Sequence, residues 1–337
     1  MSELDLNRII ATLRASPAWQ RKNEISLLAD GLVQHAPIIN GRPVLLGDDT
    51  AAIETEDGYL LLAAEIMFPP LVKANPYQAG LYAVLTNAND VYAMGGYPIA
   101  LVDVILAEDT DGAAEVLRGL RDGCARYGFP LVGGHLTANG SFSSVGACVL
   151  GRAKRLLSSF NAKPGDVLMH VTNLRGSFHP HFPFWDCSAH LSDAELRRDF
   201  ALLPAIAEAG WCDACRDVSM AGILGSALML LEPSGVGAVI DLDAIPKPPE
   251  AADRYMDWLL AFPSYGFILS VRPEQVINIQ TSFAAHSIAC AAIGRVTDSR
   301  VVLLRDGRDE AVMWDLNSES FTGFAPFSSK EGITVGR

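Results

Sequence analysis

Two adjacent carboxylates behind a glycine, Gly47-Asp48-Asp49, are the residues of this 337-residue chain whose types and spacing speak most directly of chemistry. Like charges side by side repel, so they stay near water unless a cation sits between them. Mg²⁺ prefers hard oxygen ligands and is held by one or two carboxylates together with substrate phosphates. Gly-Asp-Asp is also a common turn sequence, because both residue types favour turns. Four places downstream could share the same work. Glu65 follows an apolar run over 59–64. Asn89-Asp90 falls inside a segment of Ala, Val, Leu and Met, where an unpartnered carboxylate is costly to bury; a helix cap does not explain an acid within a helix. Gly133-Gly134-His135 follows a short apolar run, and glycines there would let backbone N–H groups approach an anion or simply make a turn. Asp217-Val218-Ser219 precedes a Gly-rich helical pattern, whose free N–H groups attract phosphate. An ordinary N-cap by Asp217 or Ser219 is the alternative there.

The elements that must position these groups follow from periodicity. Residues 4–35 read as helix, with Leu6, Ile9, Ile10 and Leu13 at helical spacing and again Ile25, Leu28 and Leu32; Ser16-Pro17 interrupts them. An apolar strand over 43–46 is expected to run into Gly47. Strand 59–64, helix 78–94, strand 100–106, helix 113–127, a short strand 130–132 and strand 144–150 follow. Asn161-Ala162-Lys163-Pro164-Gly165-Asp166 is a turn, and the domain boundary is placed just before it, near 155. Beyond it, helices are expected over 192–209 and 220–232. Strands are expected over 167–171, 236–242, 267–271, 289–296, 301–304 and 311–314. The organisation is therefore an N-terminal helical segment 1–35, a domain 36–155 and a domain 156–330, in the α+β class.

Composition narrows the function classes. Half the residues are hydrophobic and 19% are charged, enough for packed cores and against disorder. A net charge of -13 repels nucleic acid and anionic membranes. It does not exclude a nucleotide whose phosphates are bridged by a cation. The N-terminal stretch is polar and amphipathic, which fits neither a signal peptide nor a membrane span. The six cysteines are scattered rather than paired by spacing, as expected of a reducing, cytoplasmic compartment.

Taken in order, the motifs resemble the aminoimidazole ribonucleotide (AIR) synthetase-like superfamily. The matching stretches are Gly47-Asp48-Asp49-Thr50-Ala51-Ala52-Ile53, Ala88-Asn89-Asp90-Val91-Tyr92-Ala93-Met94-Gly95-Gly96-Tyr97-Pro98 and Val132-Gly133-Gly134-His135. Lys163-Pro164-Gly165-Asp166, Asp217-Val218-Ser219, Leu230-Leu231-Glu232-Pro233-Ser234-Gly235-Val236-Gly237-Ala238 and Ile293-Gly294-Arg295-Val296-Thr297 complete the set. The resemblance implies two α/β domains of the AIR synthetase type, with the N-terminal domain pairing in a homodimer through a shared β-barrel. It also implies ATP and Mg²⁺ as cofactors and phosphoryl transfer to a small-molecule substrate. By position, Asp48, Asp49, Asp90 and Asp217, with Glu65, match metal-binding acids. Gly47, Thr50, Asn89, Gly133, Gly134 and Ser219 match the nucleotide-binding positions, and His135 is the candidate general base.

The chain departs from its relatives at several points. Thiamine-monophosphate kinase has Ser/Thr-Thr-Asp where this chain has Ala63-Ala64-Glu65, and Gly-Gly-Asp-Thr where it has Gly133-Gly134-His135-Leu136-Thr137. Its Asp-x-Ser-Asp-Gly becomes Asp217-Val218-Ser219-Met220-Ala221. The Cys or selenocysteine with Lys typical of selenophosphate synthetase is missing before Asp48. These differences point to a branch with its own substrate. A thiamine-monophosphate kinase-like activity and a nucleotide-binding scaffold dimer without catalysis are the alternatives. Two further motifs compete for attention. Cys212-Asp213-Ala214-Cys215 has redox spacing without the strand that should precede it. His179 and His181 lie in an aromatic, Pro-rich loop over 178–185 that is expected to close over substrate, with Cys187 and His190 just beyond it; structural zinc, with Cys212 and Cys215, is the alternative use of these ligands.

Overall fold

The computed structural model describes residues 5–32 and 37–324. Residues 33–35 of the expected helical segment and 325–330 of the expected second domain lie outside the described residues. The chain divides into two compact units, each assembled from separated stretches of sequence. One comprises Asp49–Leu156 and Leu191–Glu208; the other comprises Met1–Asp48, Leu157–His190 and Ala209–Arg337.

The unit built on Asp49–Leu156 is a five-stranded sheet in the order Ala51–Thr55, Gly58–Ile66, Ser144–Ala153, Tyr97–Leu106, Leu131–Thr137. Its pairs are antiparallel except the last, where Tyr97–Leu106 runs parallel to Leu131–Thr137. The parallel crossover is helix Thr110–Tyr127, capped by the Asp109 side chain accepting from Gly112 N–H and ended by left-handed Gly128. Helix Pro76–Ala93 packs directly against it. The approach is backbone to backbone. A Cβ on Gly119 would stand 2.0 Å from the Tyr77 carbonyl oxygen, and one on Gly80 2.2 Å from that of Val116. These helices cover one sheet face only. Along Tyr97–Leu106 the alternation is plain, with Leu101, Asp103 and Ile105 buried and Val102 and Val104 exposed. Helices Asp193–Phe200 and Leu202–Glu208 belong to this same unit, although the linear reading set 192–209 in the second domain. Phe200 stacks on Tyr92 at 4.8 Å between centroids, and Arg126 pairs with Asp193 at 3.1 Å.

The other unit is a seven-stranded sheet in the order Ala214–Asp217, Gly266–Val271, Val167–Thr172, Ala289–Thr297, Gly237–Asp241, Val301–Asp306, Asp309–Asp315. The mostly apolar helix Gly222–Ser234, with Ser226 and Glu232 as its buried polar residues, is buried along nearly its full length in its core. Helix Leu6–Ala15 sets Leu6, Ile9, Ile10 and Leu13 into that core, the face its spacing predicts. The 178–190 region is not an open loop. Ser177–Phe178, Phe184–Asp186 and Phe262–Pro263 form a three-stranded sheet around Trp185, which is fully buried.

Three local expectations are corrected. The 43–46 run is not a strand beyond Arg42–Pro43: Val44 is buried and its N–H still donates to the Pro37 carbonyl at 2.8 Å, but regular pairing stops there. Gly133-Gly134-His135 does not follow a strand but lies within one, Leu131–Thr137, at the sheet edge. Asp217 and Ser219 do not cap a helix: Asp217 closes strand Ala214–Asp217, and the next helix begins at Gly222 behind Ala221. The class is mixed α/β, as expected.

Candidate active site

Asp90 sits one turn from the end of helix Pro76–Ala93 and is 7% exposed. Asp49 enters the strand Ala51–Thr55, and one carboxylate oxygen of each residue lies within 4.8 Å of the other. Two carboxylates so close favour a shared cation, since each raises the cost of ionising the other. The neighbouring polar atoms point the same way. Among the described residues, Thr50 Oγ1 and Asn89 Oδ1 are buried and make no hydrogen bond, and Asn87 Oδ1 is likewise buried without a partner. Buried oxygens are normally hydrogen-bonded, and each exception needs an explanation. A set of hard oxygen acceptors without protein donors suits Mg²⁺. Thr50, Asn89, Asp49 and Asp90 were legible in the sequence. Asn87 was not, although it stands three residues before Asp90 and therefore on the same helical face.

The other predicted residues have individual settings. Asp48 accepts from Ser158 Oγ and from Ser159 N–H, both at 2.6 Å. Gly47 has a φ of 124°, a conformation open to glycine, and its carbonyl accepts from the Arg216 guanidinium at 2.5 Å. The Gly47-Asp48 turn is thus held by protein hydrogen bonds. Asp217 is 8% exposed at its strand end, and Ser219 Oγ accepts from Lys22 Nζ at 3.2 Å. Glu65 is exposed near the end of strand Gly58–Ile66. His135 is exposed on the edge strand, with Nε2 3.3 Å from Thr137 Oγ1.

Gly133 and Gly134 border a groove of about 370 Å³, lined by Asp103, Ile105, Leu117, Leu131 and Leu136 among others. The groove runs between the edge strand and helix Thr110–Tyr127. Asp103, at its floor, was not singled out in the sequence. The available signal was an acid between Val102 and Val104 at an inward-alternating strand position.

The competing motifs take structural roles. Cys212 and Cys215 are buried, free thiols, and Cys212 Sγ donates to the Ala214 carbonyl at 3.1 Å. Burial pushes the Cys212 and Cys187 thiols up to about 12, so neither is a thiolate at neutral pH. Among the described residues, His179, His181 and His190 join no cluster of metal ligands. No helix of the described residues is long and apolar enough to cross a membrane.

Comparison with known proteins gives the lineage. The family model "AIR synthase related protein, N-terminal domain" matches residues 47–153, and "AIR synthase related protein, C-terminal domain" matches 163–306. The chain is 42% identical over 320 residues to the uncharacterized protein sll0787 of Synechocystis sp., covering 95% of this chain and 98% of that one. It is 26% identical over 282 residues to the selenide, water dikinase of Aeromonas salmonicida, covering 76% and 79% of the two chains. Among solved structures, T. maritima PurL complexed with ATP superposes with a TM-score of 0.70 at 18% identity, over 93% of this chain and 54% of that one.

Proposed function

The chain belongs to the AIR synthase-related protein family, and on that premise we propose that it is an ATP- and Mg²⁺-dependent enzyme transferring a phosphoryl group to a small metabolite. The observation that carries this reading is the Asp49–Asp90 pair, with carboxylate oxygens within 4.8 Å; the adjoining residues Thr50 and Asn89 each bury an unbonded oxygen. Bound Mg²⁺ supplies charge neutralisation for the triphosphate; phosphoryl transfer needs that and positioning more than covalent chemistry. Asp49 and Asp90 would hold the ion. Helix Pro76–Ala93 fixes Asp90, and the hairpin of Ala51–Thr55 with Gly58–Ile66 fixes Asp49. Asp48, Glu65 and Asp217 are proposed as further metal ligands, each on its acid type and matched position. Gly47, Gly133, Gly134 and Ser219 are proposed as nucleotide contacts, and His135, on its exposed edge strand, as the group that takes the proton from the acceptor.

We also propose that the protein works as a homodimer through the sheet face that its own helices leave bare. Leu62, Ile66, Val102 and Val104 are 48%, 69%, 40% and 57% exposed there. The register aligns Ala64, Cys148 and Val102 in one row and Ile66, Gly146 and Val104 in the next. A continuous apolar sheet face of this kind marks an association surface.

The test is ATP binding with and without Mg²⁺ by calorimetry. Wild type is expected to bind ATP only with Mg²⁺, and Asp49→Asn and Asp90→Asn each to weaken binding at least about tenfold, the scale of one charge-assisted contact. Unchanged affinity in both variants would falsify the reading. ATP turnover across a panel of small metabolites then separates an enzyme from a nucleotide-binding scaffold.

A further inference from the structure

Asp103 is 6% exposed, and no hydrogen bond or ion pair reaches its carboxylate among the described residues. Burial raises its pKa from the ordinary aspartate value. An unpaired buried acid is costly, yet this one is held in place. It stands on strand Tyr97–Leu106 directly opposite Gly134, where a Cβ would come within 2.4 Å of Asp103 Oδ2. The absent side chain therefore leaves the carboxylate at the floor of the 370 Å³ groove. The walls are mostly apolar, Ile105, Leu117, Leu131, Val132 and Leu136, with His135 on the lining as well. A groove with mostly apolar walls and two polar side chains, of which Asp103 is the buried one, has the make-up of a small-molecule site, in which a few polar groups fix orientation.

Resting on the ATP reading above, we propose that this groove receives the purine base of the nucleotide and that Asp103 accepts a hydrogen bond from the 6-amino group of adenine. The match is chemical. A base is flat and apolar on its faces, which suits the leucine and isoleucine walls, and carries its donors at the edge, which suits the buried Asp103 carboxylate. A bare cation would want several oxygens, and the groove offers a single acid. Asp103 is thus a specificity-determining residue: it favours a base that donates at position 6 over one that presents a carbonyl there. Its unpaired state in the free protein is the cost of that selectivity.

The experiment compares the Mg²⁺ complexes of ATP, ITP, GTP and inorganic tripolyphosphate by calorimetry on the full chain. ITP replaces the 6-amino donor of ATP with a carbonyl acceptor, and tripolyphosphate has no base. Wild type is expected to prefer ATP to ITP by about 10- to 100-fold, the range of a hydrogen bond to a charged group. Asp103→Leu is expected to bring ATP down to the ITP level and leave tripolyphosphate affinity unchanged. Asp103→Asn, which keeps an acceptor oxygen, retains part of the preference. Removing an unpaired buried charge should also raise the melting temperature of Asp103→Leu by a few degrees, which confirms that the variant folds. Equal affinity of wild type for ATP and ITP, tighter binding of GTP than ATP, or an ATP preference that survives Asp103→Leu overturns the assignment while Mg²⁺-dependent ATP binding stands. Absence of binding by every triphosphate overturns both.

Discussion

Buried polar side chains carry opposite meanings in the two units, and His170 shows the structural kind. It lies on strand Val167–Thr172, fully buried, in a row with Arg216, Ile268 and Ala291 on the neighbouring strands. Neither ring nitrogen has a hydrogen-bond partner among the described residues, and burial lowers its pKa to about 3. The unfolded chain takes up that proton near pH 6.5 and the folded chain does not, so the unfolded state binds more protons between these values. Stability is therefore whole above pH 6.5 and falls as the solution is acidified towards 3, by up to about 1.4 kcal/mol per pH unit. Urea midpoints measured at pH 7.5, 6 and 5 should decline, and His170→Leu should flatten the decline. A wild-type midpoint unchanged between pH 7.5 and 5 would show that the imidazole is protonated or hydrated in the fold. Asp90 was legible in the sequence because an acid inside a run of Ala, Val and Leu breaks the pattern of its helix. His170 and Asp103 were hidden because one such residue in a strand is ambiguous until the covered face is known.

At the scale of elements, long periodic segments were readable and their ends were not. Helices Pro76–Ala93 and Thr110–Tyr127 and strands Gly58–Ile66 and Tyr97–Leu106 extend the expected ranges by a few residues. The errors cluster where glycine was taken as punctuation. Gly133-Gly134 reads as a turn, but parallel pairing to Val102 and Asp103 holds both in an extended edge strand. Gly47-Asp48 was expected at a strand end, yet hydrogen bonds to Ser158, Ser159 and Arg216 hold it. Glycine has a different use where the two helices meet. Gly119 touches the Tyr77 backbone, so any side chain there must push helix Pro76–Ala93 away. Gly119→Val is expected to destabilise by about 1–3 kcal/mol or more, the range for overpacking. Because the displaced helix carries Asp90, the variant should also weaken Mg²⁺-dependent ATP binding at temperatures where it remains folded. Loss of stability with undiminished nucleotide affinity would mean that the helix shift is absorbed before it reaches Asp90.

At the scale of the whole molecule, one-sided helix cover is the ground for the proposed dimer. Both helices lie on one face of the five-stranded sheet, so the other is left with Leu62, Ile66, Val102 and Val104 in the open. Sequence periodicity gave the alternation but not its direction, since Val102 and Val104 are as apolar as the buried Leu101 and Ile105. A sheet whose two faces are both apolar is expected to be covered on both, and a second copy can supply the missing cover with the same residues. Sedimentation should therefore give a dimer at micromolar concentration. Val104→Lys places a charge near the middle of the bare face and should shift the protein to monomer. Because Val104 is exposed in the single chain, the far-ultraviolet dichroism of the variant should match wild type. A wild type that sediments as a monomer, or a Val104→Lys variant that stays dimeric, would remove this face as the interface.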